Sequence, residues 1–279
     1  MYKEKLGIAL ISFDRPNYFM QTLQSLERQS YLQNTDFHLF QDGQINKFSG
    51  RNVTDRYLID KTIKLFKRSR LKTKIEHIES KNIGNALNQF NAVEFMSKKY
   101  KYFIIIEDDT ILGKDYLKLI RIMIDQFFVD PKIFSLSLSF RRLCKMDDIN
   151  KNLDKVILKN EHWWAECWKA ENWEKIKPYF LQYIELIKNC DYRMRPAAEI
   201  KRFFIKNGFN IPQTSQDAGK DFALFKAGLK RLTSVVNRGF YIGEYGIHFR
   251  SSTYNKYGFG TMKPFEFQSD KLRKEFILI

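Results

Sequence analysis

Hydrophobic segments with two different spacings alternate along the first part of the chain. The apolar runs Gly7–Ser12 and Phe37–Phe40 are typical of buried strands, while Phe19, Leu23 and Leu26 between them recur at helical spacing. Strands that alternate with amphipathic helices are the pattern of a parallel sheet covered by helices. The beginning of the chain therefore predicts an α/β fold.

The alternation continues to about residue 140. Further strands are predicted at Lys74–Ile78, Tyr102–Ile106 and Phe134–Phe140. Two helical stripes flank the middle one, and their apolar residues are Ile83, Ala86, Leu87, Phe90 and Val93 before it and Tyr116, Leu117, Ile120, Ile124 and Phe127 after it. The segment 141–160 is rich in Lys, Asp and Asn, and we expect a loop there.

All four tryptophans of the chain lie in one short stretch of its second half. We expect this stretch to be a helix with one aromatic face. Core packing against the sheet is the expected role of Trp168 and Trp173, whereas Trp163 and Trp164 could form a wall on which a sugar stacks. Core packing is the alternative for those two as well.

The strand Tyr102–Ile106 ends abruptly at three carboxylates, Glu107, Asp108 and Asp109. Because carboxylates this close would repel one another inside a core, we expect them at the open end of a buried strand. Ligands of open α/β sheets collect at the carboxyl ends of strands, and hard oxygen ligands suit Mg²⁺ or Mn²⁺ that bridges a substrate diphosphate. The alternative is a solvated acidic loop.

The chain is strongly basic. It has 48 Lys and Arg against 32 Asp and Glu, a formal net charge of +16, which favours anionic partners without choosing among them. The segment Lys61–Lys74 contains seven Lys or Arg and no acid, and a basic then apolar tail follows at Lys271–Ile279. Both segments favour contact with an anionic membrane surface. For the first segment, a polyanion is a second possible partner, and a solvated helix face is the alternative.

The sequence also indicates where the protein works. Cys144, Cys167 and Cys190 are odd in number and far apart, so neither a disulfide framework nor a zinc site is indicated. The apolar run Leu6–Phe13 is interrupted by Asp14 before it reaches the length of a signal peptide, and no apolar stretch approaches the roughly 20 residues of a membrane span. We expect a cytoplasmic protein, peripheral at the inner membrane surface.

Four segments, in order along the chain, resemble one family. They are Ile8–Asn17 with the helix after it, the turn Gln41-Asp42-Gly43, the helix that leads into Glu107-Asp108-Asp109, and the tryptophan-rich segment. Together they resemble the GT-A fold glycosyltransferases, and within them the animal N-acetylglucosaminyltransferase I type and bacterial GT-A relatives. In the bacterial relatives a Ser-x-Asp and a late His follow the tryptophans, and the matching segments here are Ser215-Gln216-Asp217 and Gly246-Ile247-His248.

The resemblance, which covers about Gly7 to Tyr254, implies one GT-A-like domain over residues 1–279 with a Rossmann-like, mixed and mostly parallel sheet. About 1–140 would form the nucleotide-sugar-binding half, and about 141–279 an elaborated acceptor-binding half. The implied activity is that of a metal-dependent hexosyl- or N-acetylhexosaminyltransferase of polysaccharide or glycan biosynthesis. It would move a sugar from a nucleotide sugar, with UDP as the first choice, to a glycan, lipid-linked or protein acceptor with inversion.

The resemblance also implies roles for residues that bind the donor. Asp109 would be the ligand of Mn²⁺ or Mg²⁺, Asp108 would contact the ribose or the metal, and Glu107 would contact the donor sugar. Asp42 would accept a hydrogen bond from the uracil ring, with an ordinary Asp-Gly turn as its alternative. Arg15 would lie near the diphosphate or the base carbonyl, and its alternative is a surface charge in the first turn of a helix that begins at Pro16.

An inverting transfer needs a base for the acceptor hydroxyl, because its proton must leave as the oxygen attacks. Asp217 is the preferred candidate. Asp221, four residues later and on the same face if this segment is helical, is the second candidate, in which case Asp217 caps the helix. Glu166 and Glu161, near the tryptophans, would orient acceptor hydroxyls, with surface acids as the alternative. His248 would be a late metal ligand or a buried, hydrogen-bonded histidine.

The chain departs from the family pattern in two respects. The acidic motif is Glu-Asp-Asp instead of Asp-x-Asp, which suits the N-acetylglucosaminyltransferase I type, and the tryptophan motif lacks its usual glycines. Two other classes remain as alternatives. A nucleotidyltransferase that acts on sugar phosphates would typically have a Gly-rich phosphate loop, and a basic nucleic-acid-binding protein would show a recognition motif; the sequence has neither.

Overall fold

The computed structural model describes residues 4–139, 149, 151–159, 163–246, 251–261 and 275–279. Its strands are β1 (Leu6–Ser12), β2 (Thr35–Gln41), β3 (Lys74–Ile78), β4 (Tyr102–Glu107), β5 (Thr110–Leu112), β6 (Ile133–Ser137), β7 (Lys155–Leu158), β8 (Glu166–Lys169), β9 (Lys230–Ser234), β10 (Gly239–Tyr241) and β11 (Ile277–Leu278). Its α-helices are α1 (Pro16–Glu27), α2 (Arg56–Arg68), α3 (Asn85–Lys99), α4 (Tyr116–Phe127), α5 (Ala170–Ile187), α6 (Ala197–Lys206), α7 (Gln216–Ala227) and α8 (Ser251–Lys256). Short 3₁₀ turns lie at Tyr192–Met194 and Phe259–Thr261.

Within the described ranges, nine strands form one sheet in the order β11-β7-β9-β6-β8-β4-β1-β2-β3. The block β4-β1-β2-β3 is parallel, β8 is antiparallel to both β4 and β6, and β6 is parallel to β9. Strands β5 and β10 form a separate antiparallel pair. The predicted fold class, a mixed and mostly parallel α/β sheet flanked by helices, is confirmed.

Two hydrophobic cores lie on opposite faces of this sheet. Leu10 of β1 points into the core that contains Phe19 of α1 and Phe66 of α2. Its neighbour Ile11 points into the core that contains Trp173 of α5. Because β1 is buried on both faces, it is apolar throughout instead of alternating with polar residues.

The parallel block brings the predicted site residues to one edge of the sheet. Ser12, the last residue of β1, pairs with Gln41, the last of β2, and Ile11 pairs with Glu107, the last of β4. Helix α1 then begins at Pro16, whose fixed φ suits the first helical position. The segments that follow β1, β2 and β4 therefore meet at a shared carboxyl edge, where open α/β sheets bind ligands.

Two local predictions are wrong. The tryptophan-rich stretch is not one helix: β8 contains Trp168, and α5 begins only at Ala170. The reason is tertiary, because β8 lies between β4 and β6 and completes the sheet there. The predicted loop 141–160 contains strand β7, which pairs with β9. The core positions predicted for Trp168 and Trp173 are confirmed, since both side chains are buried.

Among the described helices, none combines the length and the apolar character that crossing a bilayer requires.

Candidate active site

Arg15 and the acidic motif form the centre of the carboxyl edge. The Arg15 guanidinium forms an ion pair with Asp108 through Nη2, and its Nη1 lies 2.5 Å from Asp109 Oδ2. Asp108 and Asp109 are buried, whereas 28% of the Arg15 side chain is exposed. One cation therefore spans two buried carboxylates and is itself open to solvent on one side.

Asp108 is held by the residues around the end of β1. Ser12 Oγ and the Phe13 N–H lie 3.5 Å from Asp108 Oδ2, and Thr22 Oγ1 donates to the Asp108 backbone carbonyl at 3.0 Å. Burial raises the pKa of Asp108 to about 6, although the Arg15 charge opposes this shift. These contacts fix Asp108 more firmly than a solvated loop would allow, so the alternative of a solvated acidic loop is not supported.

Asp109 has one oxygen in contact with Arg15 and one that no described residue contacts by a hydrogen bond. Ile242 N–H donates to its backbone carbonyl at 2.9 Å, and a Cβ on Gly243 would lie 2.2 Å from its Oδ2. Glycine is therefore needed at 243 for the chain to pass this close. Among the described residues, the buried Oδ1 of Asp109 receives no hydrogen bond.

The described side chains could hold a divalent metal ion only together with substrate phosphates and water. No group of three or more His, Cys, Asp or Glu side chains within the described ranges could hold a metal ion. Mg²⁺, however, is commonly bound by one or two carboxylates together with substrate phosphates and water. Asp109 Oδ1, which has no hydrogen-bond partner in the described part of the chain, matches that kind of coordination with Asp108 beside it. His248, the other predicted ligand, lies outside the described residues, as does Glu161.

Glu107 connects the acidic motif to the second half of the chain. Gln89 Nε2 donates to its carboxylate at 2.5 Å, Gln89 Oε1 accepts from Lys220 at 3.2 Å, and Lys220 Nζ lies 2.8 Å from Asp217 Oδ1. Burial, followed by the charges of Asp109 and Asp217, raises the pKa of Glu107 to about 8. This series of contacts between Glu107 and Asp217 connects α3 with α7 through the side chains of Gln89 and Lys220. The sequence analysis predicted no role for either residue.

Asp42 supports the loop that precedes α3. Its Oδ1 accepts from Gly43 N–H at 2.9 Å and Ile83 N–H at 2.8 Å, and its Oδ2 accepts from Asn82 Nδ2 at 2.8 Å and Gly84 N–H at 3.0 Å. A carboxylate has about four acceptor positions, so none is left for a nucleotide base in this conformation. Burial raises the pKa of Asp42 to about 6. The structure thus favours a positioning role over the predicted contact with uracil.

The two candidate bases differ in their surroundings. Asp217 lies in the first turn of α7, after the N-cap Ser215, and 49% of its side chain is exposed. Asp221 lies one turn later, where it accepts from Trp163 Nε1 at 3.1 Å and lies 3.6 Å from Arg231. Burial raises its pKa to about 6. The predicted helix is present and brings both acids near Lys220, but the cap is Ser215 and not Asp217.

The residues predicted to bind the acceptor are covered. The Arg231 guanidinium lies 3.9 Å from the centre of the Trp163 ring and the Lys220 ammonium 4.7 Å from it. Trp164 stacks on Tyr241 at 4.9 Å in a separate cluster with Phe259. The two tryptophans thus do not form one open wall, and the core alternative describes them better.

Glu166 is a buried partner and not a surface acid. Its carboxylate forms an ion pair with Arg231 and accepts from Ser135 Oγ at 2.9 Å. Burial raises its pKa even though Arg231 opposes the shift. Acceptor binding by Glu166, Trp163 and Trp164 stays a prediction that would require this cluster to open.

Comparison with known proteins finds distant structural likenesses. No protein-family profile matches the sequence. S. aureus TarS is 14% identical with a TM-score of 0.42 over 66% of this chain, and the chain spans only 32% of that structure. A structure of its residues 1–349 with UDP-GlcNAc gives 12% and 0.39 over 66% of this chain and 48% of that one. The mannosyltransferase PcManGT from Pyrobaculum calidifontis, solved with GDP-Man and Mn²⁺, gives 12% and 0.48 over 82% of this chain and 72% of that one.

At these identities and TM-scores the likenesses carry no argument about activity or ligands. Among curated proteins, the probable peptide export ATP-binding protein YydI of Bacillus subtilis is 28% identical over 153 residues, 52% of this chain and 73% of that protein. ATP-binding proteins of the P-loop type need the pattern G-x-x-x-x-G-K-[ST]. Here the Gly-Lys pairs at 113–114 and 219–220 are each followed by Asp, so the pattern is absent from the sequence. None of the three comparisons assigns the chain to a family, and the N-acetylglucosaminyltransferase I type stays a prediction.

Proposed function

We propose that this protein is a GT-A-like glycosyltransferase that transfers a sugar from a nucleotide-sugar donor. The observation that carries the proposal is the Arg15–Asp108–Asp109 arrangement at the shared carboxyl edge of β1, β2 and β4, with a buried Asp109 oxygen that has no partner among the described residues. A buried acceptor without a donor is unfavourable, which supports a missing positive ligand at this position.

Asp109 and Asp108 would hold Mn²⁺ or Mg²⁺ together with the donor diphosphate. When bound, the metal would act as a Lewis acid that neutralises the charge developing on the leaving diphosphate. Arg15 presents several N–H donors in a fork that matches phosphate geometry, so it would bind the same diphosphate. Glu107, supported by Gln89, would contact the donor sugar.

Asp217 is the proposed base for an inverting transfer. Its carboxylate is half exposed and could approach an acceptor hydroxyl, whereas Asp221 is already engaged by Trp163 and Arg231. Lys220, whose ammonium lies 2.8 Å from the Asp217 carboxylate, would hold that carboxylate in place. In this proposal Asp221 and the Glu166–Arg231 pair support the acceptor side of the site.

The finer parts of the proposal concern the substrates and the place of action. The donor would be a UDP-sugar of hexosyl or N-acetylhexosaminyl type, and residues from about 141 onward would bind a glycan, lipid-linked or protein acceptor. The exposed basic residues of α2 support a peripheral position on an anionic membrane, since Lys64, Lys67 and Arg68 all face solvent.

A donor screen tests the proposal. UDP-, GDP- and CMP-sugars would be incubated with the full chain with and without Mn²⁺, and nucleotide release would be measured. We expect release from one donor class that requires Mn²⁺ and is lost in Asp109→Asn, while the exposed Asp60→Asn serves as the matched control. Pyrophosphate release from a nucleoside triphosphate and a sugar phosphate would instead support a nucleotidyltransferase. Salt-sensitive oligonucleotide binding without any turnover would support a nucleic-acid-binding protein.

A further inference from the structure

We infer that Arg15 is the built-in counter-ion of Asp109 and that a divalent cation binds there only when Arg15 leaves. The inference rests on the proposed metal site at Asp109. It adds a competition between a side chain of the protein and the metal, so that the free protein holds the metal weakly. Arg15 would be released from Asp109 as the metal arrives.

The contacts of Arg15 support a replaceable cation. Its guanidinium pairs with Asp108 and lies 2.5 Å from Asp109 Oδ2, so both acids are neutralised by one group. The side chain is attached just before α1, at a residue outside the helix, and more than a quarter of it is exposed. It can therefore turn outward by side-chain rotation without unwinding α1.

Space around Asp109 argues against simple addition of a second cation. A Cβ on Gly243 would lie 2.2 Å from Asp109 Oδ2 and 2.6 Å from the Tyr241 hydroxyl oxygen, so this side of the carboxylate is closely packed. A Cβ on Gly246 would lie 3.3 Å from Arg15 Nη1. The segment that contains these two glycines thus lies against both Arg15 and Asp109.

Charge repulsion is a second reason why a metal ion and Arg15 would not bind Asp109 at the same time. A metal ion on Asp109 and a guanidinium on the same carboxylate are like charges a few ångströms apart, and a site with little water screens their repulsion poorly. Asp109 Oδ1 is buried, so an ion also needs an opening to reach it. Departure of Arg15, which contacts the other oxygen of this carboxylate, would free space beside Asp109 and remove the repulsion. The guanidinium that is set free would then be available to the donor diphosphate.

Mn²⁺ titration followed by electron paramagnetic resonance tests the competition without any donor. The full chain would be compared with Arg15→Gln, which removes the charge, and Arg15→Lys, which keeps it. We expect Arg15→Gln to bind Mn²⁺ at least tenfold more tightly than the wild type, and Arg15→Lys to stay closer to the wild type. Equal or weaker Mn²⁺ binding by Arg15→Gln, with folding verified by circular dichroism, would overturn the inference.

Asp109→Asn separates this inference from the proposed function. If Arg15→Gln gains no affinity while Asp109→Asn loses Mn²⁺ binding, the metal site stands and only the competition is overturned. If Asp109→Asn in the Arg15→Gln background leaves Mn²⁺ binding unchanged, the ion is not at Asp109, and the proposed metal site is overturned as well.

A chemical test uses the wild-type chain and does not depend on a variant that folds. Phenylglyoxal modifies accessible arginines, and mass spectrometry locates each modified residue. We expect Mn²⁺ to raise the modification rate of Arg15 several-fold. The control is Arg70, which pairs with Glu27 and whose modification rate should stay constant. An unchanged or slower rate at Arg15 under saturating Mn²⁺ would overturn the inference.

Discussion

The Lys220 ammonium lies 2.8 Å from the carboxylate of Asp217, one turn back on α7. Lys220 is buried, and its ammonium also donates to Gln89, the residue that donates to Glu107. Lys220 therefore connects the acids proposed to bind the donor with the acid proposed to activate the acceptor.

Replacement of Lys220 by Met tests this connection. Met keeps most of the length and apolar volume but cannot neutralise Asp217 or donate to Gln89. We expect kcat/KM for sugar transfer, measured by nucleotide release with the donor found in the screen, to fall at least tenfold. Lys226→Met, an exposed lysine near the other end of α7, is the matched control and should change kcat/KM less than twofold. Equal kcat/KM values for Lys220→Met and Lys226→Met would show that Lys220 is not part of the active site.

The buried Glu166–Arg231 ion pair should affect the free energy of unfolding, and a double variant tests this. Both side chains are buried, so Arg231→Met leaves an uncompensated carboxylate and should lower the free energy of unfolding by about 3–5 kcal/mol. Glu166→Met combined with Arg231→Met should recover much of that loss, because the buried carboxylate that Arg231 neutralises is then removed as well. Urea unfolding measures both. If Arg231→Met is as stable as the wild type, Glu166 is not a structural partner, and the acceptor-binding prediction regains support.

Asp42→Asn tests the positioning role of Asp42. Asn supplies one acceptor oxygen where the carboxylate supplies two, so bonds from the 82–84 loop are lost and an amide N–H₂ faces backbone donors. We expect the free energy of unfolding to fall by about 1–3 kcal/mol. The exposed Asp60→Asn should change it by less than about 0.5 kcal/mol. A variant of normal stability that loses only UDP affinity would instead favour direct contact with the base.

His38 predicts how stability depends on pH. It is buried between His77, whose Nε2 lies 3.0 Å from His38 Nδ1, and Tyr100, whose hydroxyl lies 2.7 Å from His38 Nε2. Burial, helped by the charges of His77 and Lys99 and opposed by that of Asp36, lowers the pKa of His38 to about 4 from the ordinary 6.5.

Because the folded pKa is below the unfolded one, the unfolded chain binds more protons between these values. Stability is therefore full above about pH 6.5 and falls as the pH drops toward about 4. The loss from this group is roughly 3 kcal/mol at most. Urea unfolding at several pH values should show a smaller slope in His38→Gln than in the wild type, and parallel slopes would exclude His38 as a source.

Local sequence patterns predict the fold where burial is regular. They predict the candidate site only in part. The apolar runs of β1 and β4 are buried on both faces, so the sequence signals them clearly, and the acids after β4 could be placed at a strand end. The helix predicted around Trp168 is wrong because the strand that contains this residue exists only through pairing with β4 and β6. The contacts Glu166–Arg231 and Gln89–Lys220 join residues 65 and 131 positions apart, a relationship that no local pattern encodes.

The basic face of α2 makes a membrane prediction that has an internal control. Lys61, Lys64 and Arg68 recur at helical spacing on the side of α2 away from its buried residues, and each basic residue near an anionic surface contributes about 1 kcal/mol. Replacement of all three by Ala should weaken co-sedimentation with phosphatidylserine vesicles at low salt by roughly 100-fold. Helix α6 lies against the other face of the sheet. The matched control replaces three of its exposed basic residues, Lys201, Arg202 and Lys206. Similar losses in both variants would indicate net charge alone, and no binding by the wild type would exclude the membrane surface as a partner.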